Sequence, residues 1–199
     1  MDFCKILWMG MVLLIGSSCS EKPHPEKVQI SFNSNPSLGS ENAEVEIIIF
    51  TDYECTYCKQ LIGYLDGIKA SHIEAGIVQV QIWDFPLEMH EQAFASAICA
   101  YCADQQGAFW EMHQLLYDVQ EELDDELFIT FANQLNLNMI EFDSCFASKA
   151  AVEKVESDIR TGEELGITGT PAFIINGNLF FGMPPEEVFQ SLIEDELKK

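Results

Sequence analysis

The stretch "TDYECTYCKQ", Thr51 to Gln60, carries two cysteines, Cys55 and Cys58, separated by Thr56 and Tyr57. The segment ahead of it, "VEIIIFT" (45–51), is nearly continuous in apolar residues, as expected of a central strand covered on both faces. Behind it, Leu61, Leu65 and Ile68 recur on one helical face, and Gly76 closes the segment. "IVQVQIW" (77–83) then alternates as a further strand. Strand, helix and strand in roughly forty residues make a βαβ unit. The cysteine pair therefore stands where a buried strand hands over to a helix.

Three chemistries compete for such a pair: half of a metal site, a structural bridge, or a redox centre. A second pair, Cys99 and Cys102 in "CAYC", could complete a zinc site. Its distance from the first exceeds the usual ribbon spacing, and it sits within a helical pattern rather than on a knuckle turn. Neither pair is followed by His, which excludes covalent haem attachment. A bridge between Cys55 and Cys58 closes so short a loop that it would stabilise little. The redox reading accounts for the position. A cysteine at the first turn of a helix faces unpaired backbone N–H groups and the positive end of the dipole, and both favour thiolate over thiol. A second cysteine one turn on can attack the mixed disulfide and release the product. Cys55 reads as the exposed nucleophile and Cys58 as the buried resolving thiol, with Thr56 and Tyr57 tuning the balance. This chemistry needs no metal and no organic cofactor.

The chain has 199 residues, consistent with one main domain. Its formal net charge is −23, from 33 acidic and 10 basic residues, which argues against nucleic acid as a partner. Residues 1–18 read as a signal peptide with the apolar core "ILWMGMVLLIG". The following "GSSCSEK" resembles a bacterial lipoprotein signal, in which Cys19 becomes the lipidated first residue. Gly16 stands where Leu is commonest, and Ser18 where Gly or Ala is, so ordinary signal cleavage is the alternative. Either route leads to a compartment that tolerates disulfides. Residues 19–26 read as a tether, and 27–199 as the domain.

Within that domain "KVQISF" (27–32) alternates as a first strand, and 33–44 is turn chemistry. Residues 88 to about 165 carry only helical patterns, with stops at Gly107 and Gly166 and cap candidates at Asp124, Asp125 and Asn138. "PAFIING" and "NLFFG" flank a turn at Asn176–Asn178, a hairpin signal, and "PPEEVFQSLIEDEL" closes the chain as a helix. In "GTPAFIING", Pro171 opens a strand and holds Thr170 out of the helical region; a cis bond and a simple loop terminator are both open readings. His90 and His113 read as packed or surface residues on helical patterns. Trp83, Phe109 and Trp110 read as core, and Cys99 as a small buried hydrophobe.

Taken together, "FTDYECTYCKQ", "DFPLEMHEQAFASAICAYCADQQGAFWEMHQLLYD", "FDSCFASK" and "GITGTPAFIINGNLFFG" resemble the DsbA-like branch of the thioredoxin superfamily, from about Pro36 to the C-terminus. The resemblance implies an α/β thioredoxin fold, with βαβ and ββα halves around a central sheet and an inserted helical domain at about 88–165. It implies a cis-proline loop at Thr170 and Pro171 that binds the substrate backbone beside the CxxC and keeps metals off the thiols. It also implies a structural disulfide between Cys102 and Cys145, with Cys99 left free. Two departures stand out. Many relatives have Pro after the first cysteine, where this chain has Thr56. Many carry an acid in the strand six residues before that cysteine, where this chain has Ile49. Asp52 and Glu54 are nearby acids that read as surface residues.

The expected function is that of an exported thiol–disulfide oxidoreductase on the periplasmic side of a bacterial envelope. It would act as a dithiol oxidant on cysteine-containing exported proteins, be recycled by a redox partner, be held to the membrane only by a lipid on Cys19, and work as a monomer. Reductase, isomerase and non-catalytic binding module are the alternatives.

Overall fold

The computed structural model describes residues 27, 28, 30 and 35–199. The expected leader (1–18), Cys19 and the tether to residue 26 lie outside the described residues. Five strands form one mixed sheet in the order β1-β3-β2-β4-β5. They are β1 (Ser37–Leu38), β2 (Val45–Thr51), β3 (Val78–Asp84), β4 (Ala172–Ile175) and β5 (Asn178–Phe181). The first strand is a short edge piece in the segment expected to be turn. The described residues of 27–32 are not in a strand, although the Val28 N–H donates to the Gly177 carbonyl at 2.8 Å.

β2 and β3 run parallel, in register from Val45 opposite Val78 to Thr51 opposite Asp84. The crossover between them is helix α1 (Thr56–Ile68), continued by a π-helical turn over Lys69–Ile73. β4 pairs antiparallel with the other side of β2, and β5 with β4. The hairpin turn between them uses Asn176 at φ 45° and Gly177 at φ 81°, the left-handed pair that a tight two-residue turn demands. The βαβ and ββα halves expected above are thus both present, around one central sheet.

Five helices lie between the halves: α2 (Ala93–Asp104), α3 (Phe109–Asp118), α4 (Asp125–Gln134), α5 (Met139–Phe146) and α6 (Lys149–Glu164). Asp124 caps α4 through Leu127 N–H, and Asn138 caps α5 through Ile140 and Glu141. Helix α7 (Glu186–Glu196) closes the chain. Among the described residues no helix is long and apolar enough to cross a membrane.

β2 is buried on both faces because successive side chains alternate between two clusters. Ile47 and Ile49 join the larger core with Leu61 and Leu65 of α1, Phe189 of α7 and the helices between the halves. Ile48 and Phe50 join Trp83, Phe85, Ile167 and Ile174 on the opposite face. Gly162 lets α6 approach that second cluster: a Cβ there would lie 2.6 Å from the Phe85 ring. Cys102 of α2 and Cys145 of α5 form a disulfide, Cα–Cα 5.7 Å, across 43 residues of sequence.

Candidate active site

Cys55 is the N-cap residue of α1, with extended backbone (φ −80°, ψ 113°), so the chain leaves β2, turns through Asp52–Glu54 and enters the helix at the thiol. Its carbonyl accepts from Cys58 N–H at 3.0 Å and from Lys59 N–H at 3.2 Å, which closes the first turn and sets Cys58 one turn on. Both residues are unbonded thiols here. Cys58 is fully enclosed, as expected of a resolving thiol. Cys55 was expected to be exposed, yet only 7% of its surface meets solvent. The cover comes from the facing loop: in its thiol form Cys55 Sγ donates to the Thr170 carbonyl at 3.4 Å, and Thr170–Pro171 is a cis peptide bond. Four site residues from two distant segments, Cys55, Cys58, Thr170 and Pro171, therefore meet at the ends of β2 and β4. Thr56 and Tyr57 both point outward, Tyr57 at 60% exposure.

The two thiols are electrostatically unlike. The hydrogen bond from Cys58 draws the Cys55 thiol down to about 6, against the opposing effect of burial and with further help from Thr170 and the backbone N–H groups of Cys58 and Tyr57. Burial pushes the Cys58 thiol well up, and its proximity to Cys55 adds to this; hydrogen bonds from Thr51 and Thr170 oppose it. At neutral pH the reduced pair is thus a Cys55 thiolate held by a Cys58 thiol, an arrangement able to exchange with a disulfide. The third free cysteine, Cys99, is fully buried in α2, and desolvation alone raises its thiol far out of the physiological range.

Ile49 lies in the core with no exposure, so the strand carries no acid beneath the thiols at that position. Under Cys58 the polar groups are hydroxyls: Thr51 Oγ1 and Tyr117 OH lie 2.5 Å apart, and Tyr117 OH also donates to the Asp52 carbonyl at 3.4 Å. Asp84, opposite Thr51 in the sheet, is a buried acid raised to about 7 by desolvation; Lys154 pulls it down while Asp158 and Asp52 push it up.

Asp52 corrects the reading made from sequence. It is not a surface acid: it is 1% exposed. Its carboxylate accepts from Glu54 N–H and Leu87 N–H, both at 2.8 Å, and from His90 Nδ1 at 2.8 Å. His90, read as packed or surface, is instead the ionic partner of Asp52 at the edge of the site. Glu54 caps the same loop by accepting from Gln92 N–H. Desolvation lowers the His90 imidazole, but the Asp52 bond and charge, with Glu54 and Cys55, outweigh it and the net shift is upward. Reasoning from sequence missed this pair because the partners lie 38 residues apart and nothing local marks Asp52 as buried. A signal was present in the spacing. "TDYEC" places an acid three before the cysteine, where a helix-entry turn folds back on itself. His113 fits its packed reading: it is 3% exposed, its Nδ1 is hydrogen-bonded to Tyr53 OH at 2.8 Å, and burial lowers it to about 3.

A family model described as Thioredoxin matches residues 32–195. The probable disulfide bond formation protein D of Bacillus anthracis is 26% identical over 204 residues, covering 96% of this chain and 93% of that protein. The Na(+)/H(+) antiporter NhaA 3 of Salinispora tropica is 30% identical over 145 residues, covering 72% of this chain; the chain spans only 22% of that antiporter's length. Among solved structures, alpha-DsbA1 of Wolbachia pipientis superposes with a TM-score of 0.74 at 20% identity, covering 83% of this chain and 92% of that one.

Proposed function

This chain belongs to the thioredoxin family, in its DsbA-like branch, and from that premise we propose that it is an exported protein-disulfide oxidoreductase working through Cys55 and Cys58. One observation carries the reading. A low-pKa cysteine at a helix N-cap lies against a cis-proline loop and directly above an enclosed second thiol. A client thiol bonds to Cys55 as the Cys55–Cys58 bond breaks, the Thr170–Pro171 loop lies along the client backbone, and a second client thiol releases Cys55; Cys58 resolves the mixed disulfides that the client does not complete. Thr56 and Tyr57 face the incoming client and tune the pair. The clients are cysteine-containing exported proteins, and a separate redox partner recycles the pair.

The direction is oxidation of the client. A thiolate stabilised in the reduced protein makes the disulfide form the stronger oxidant. Titrated against glutathione at pH 7, the pair is expected to show a potential less negative than about −180 mV; a value near −270 mV would make it a reductant instead. The pH dependence tests the cause. Below the Cys55 midpoint of about 6 the reduced pair binds two protons, and above it one. The potential therefore falls by about 59 mV per pH unit below that midpoint and by about 30 mV above it. A single slope from pH 5 to pH 8 would contradict the lowered thiol.

Export is part of the proposal. The apolar leader ending at Cys19 supports it, and so does the Cys102–Cys145 bridge, which persists in an oxidising compartment. The protein is a monomer on the periplasmic side, held by a lipid on Cys19. Changing Cys19 to Ala is expected to move it from the membrane to the soluble fraction with its thiol chemistry intact. Unchanged fractionation would remove the anchor.

A further inference from the structure

We propose that His90, clamped by buried Asp52, is the proton acceptor for client thiols at this site. The inference rests on the exchange reading above. His90 Nδ1 is committed to Asp52 Oδ2 at 2.8 Å, and a carboxylate can only accept, so Nδ1 carries the proton and Nε2 is the nitrogen free to take another. The carboxylate is itself fixed by Glu54 and Leu87 N–H groups, so the ring is held from behind by a fully buried anchor. Its outer side remains 23% exposed and lines a groove of about 850 Å³. Phe85, Leu87, Met89, Phe94 and Ile167 supply the apolar walls of that groove, which ends at Thr168, two residues before the loop that covers Cys55. A client segment lying along the Thr170–Pro171 loop passes this ring with its thiol near Cys55.

The chemistry needs such a group. A client thiol keeps its proton at neutral pH, and only its thiolate attacks a disulfide. Neutral His90 takes that proton. The client sulfur bonds to Cys55 Sγ, the Cys55–Cys58 bond breaks, and Cys58 leaves with the electron pair and becomes a thiol, in keeping with its raised pKa. The second client thiol gives its proton to His90 and attacks the client sulfur, and Cys55 departs as a thiolate. Two electrons pass from the client to the cysteine pair. Of the two client protons, one ends on Cys58 and one reaches solvent through His90. The charged groups around the ring are Asp52, Glu54 and Cys55 at the site, and Glu88 and Glu163 along the groove from the β3–α2 loop and from α6. Asp84, which titrates near neutrality behind Asp52, is the other group whose ionisation falls in this range.

The test is the single-turnover reaction of the oxidised protein with a peptide bearing one cysteine in an apolar segment, followed by mass from pH 5 to pH 9. Cys55 is then in a disulfide and does not itself titrate. Without a base, the rate follows the peptide thiolate and falls about tenfold per pH unit below the thiol pKa. Wild type is expected to level off between the peptide thiol pKa and the His90 midpoint, which lies above the ordinary imidazole value, and to fall tenfold per unit only below it. His90→Gln is expected to show the full dependence throughout, so that it is about tenfold or more slower near pH 7 and equal to wild type above pH 8.5. Asp52→Asn, which weakens the base without removing it, falls between the two. His72→Gln, whose side chain pairs with Glu194 elsewhere, behaves as wild type. Parallel profiles for wild type and His90→Gln overturn the proposal, whether the variant is uniformly slow or unchanged, and an inflection that persists in the variant belongs to Asp84. A wild type unreactive at every pH overturns the exchange reading and this inference with it.

Discussion

Replacing Cys55 with Ser is expected to abolish disulfide exchange with protein clients, a loss on the order of a thousandfold or more, as for removal of a nucleophile elsewhere. The argument is chemical before it is structural. Cys55 holds a thiolate at neutral pH because a Cys58 hydrogen bond, the Thr170 side chain and two backbone N–H groups surround its sulfur. A hydroxyl in the same place keeps its proton and cannot form a mixed disulfide. Cys99 is no substitute, since it is fully enclosed in α2 and its thiol is raised by desolvation. Oxidative refolding of a reduced client, followed by regain of client activity, measures the effect. A Cys55→Ser protein that retained a tenth of wild-type rate would place the chemistry at another residue.

The second large effect concerns stability. Changing Cys102 and Cys145 together to Ala is expected to lower the unfolding free energy by about 4 kcal/mol, because the bridge closes a loop across 43 residues in the unfolded chain. For a chain of this size that corresponds to a midpoint lower by roughly 8–16 °C. The Cys102 side chain is fully buried between α2 and α5, so Ala is the milder replacement; Ser would bury a hydroxyl. Wild type treated with reductant should approach the double variant, since the Cys55–Cys58 loop is too short to contribute comparably. A difference below about 1 kcal/mol in denaturant titration would show that the helices hold one another without the bridge.

Much of this architecture can be read from particular residues. The run from Val45 to Phe50 announces a strand buried on both faces, and the structure divides it between two clusters, Ile47 and Ile49 on one side and Ile48 and Phe50 on the other. Asn176–Gly177 announces its hairpin because few other pairs tolerate two left-handed residues in succession. Asp124 and Asn138 announce helix starts by their short acceptor side chains. The cysteine pair is legible because its position at a strand-to-helix junction, more than its spacing, implies a stabilised thiolate. Other features depend on contacts that no local pattern encodes. Alternation at 27–32 suggests a first strand, but its described residues 27, 28 and 30 are not in one, and the edge pairing with β3 falls at Ser37–Leu38. The Thr170 cover over Cys55 spans 115 residues, which explains how a cysteine expected to be exposed is largely shielded. The Asp52–His90 pair is hidden for the same reason: an acid in a turn normally faces water, and only the tertiary fold encloses this one.

The central claim, that Cys55 bonds the client and Cys58 resolves mixed disulfides left incomplete, is tested most directly by isolating the Cys58→Ser protein from cells and mapping its covalent adducts by mass spectrometry. With the resolving thiol gone, client proteins should be found disulfide-bonded to Cys55, released by reductant and absent from the Cys55→Ser, Cys58→Ser double variant. Adducts at any other cysteine, or none while Cys55 remains reactive toward a small alkylating agent, would contradict the account.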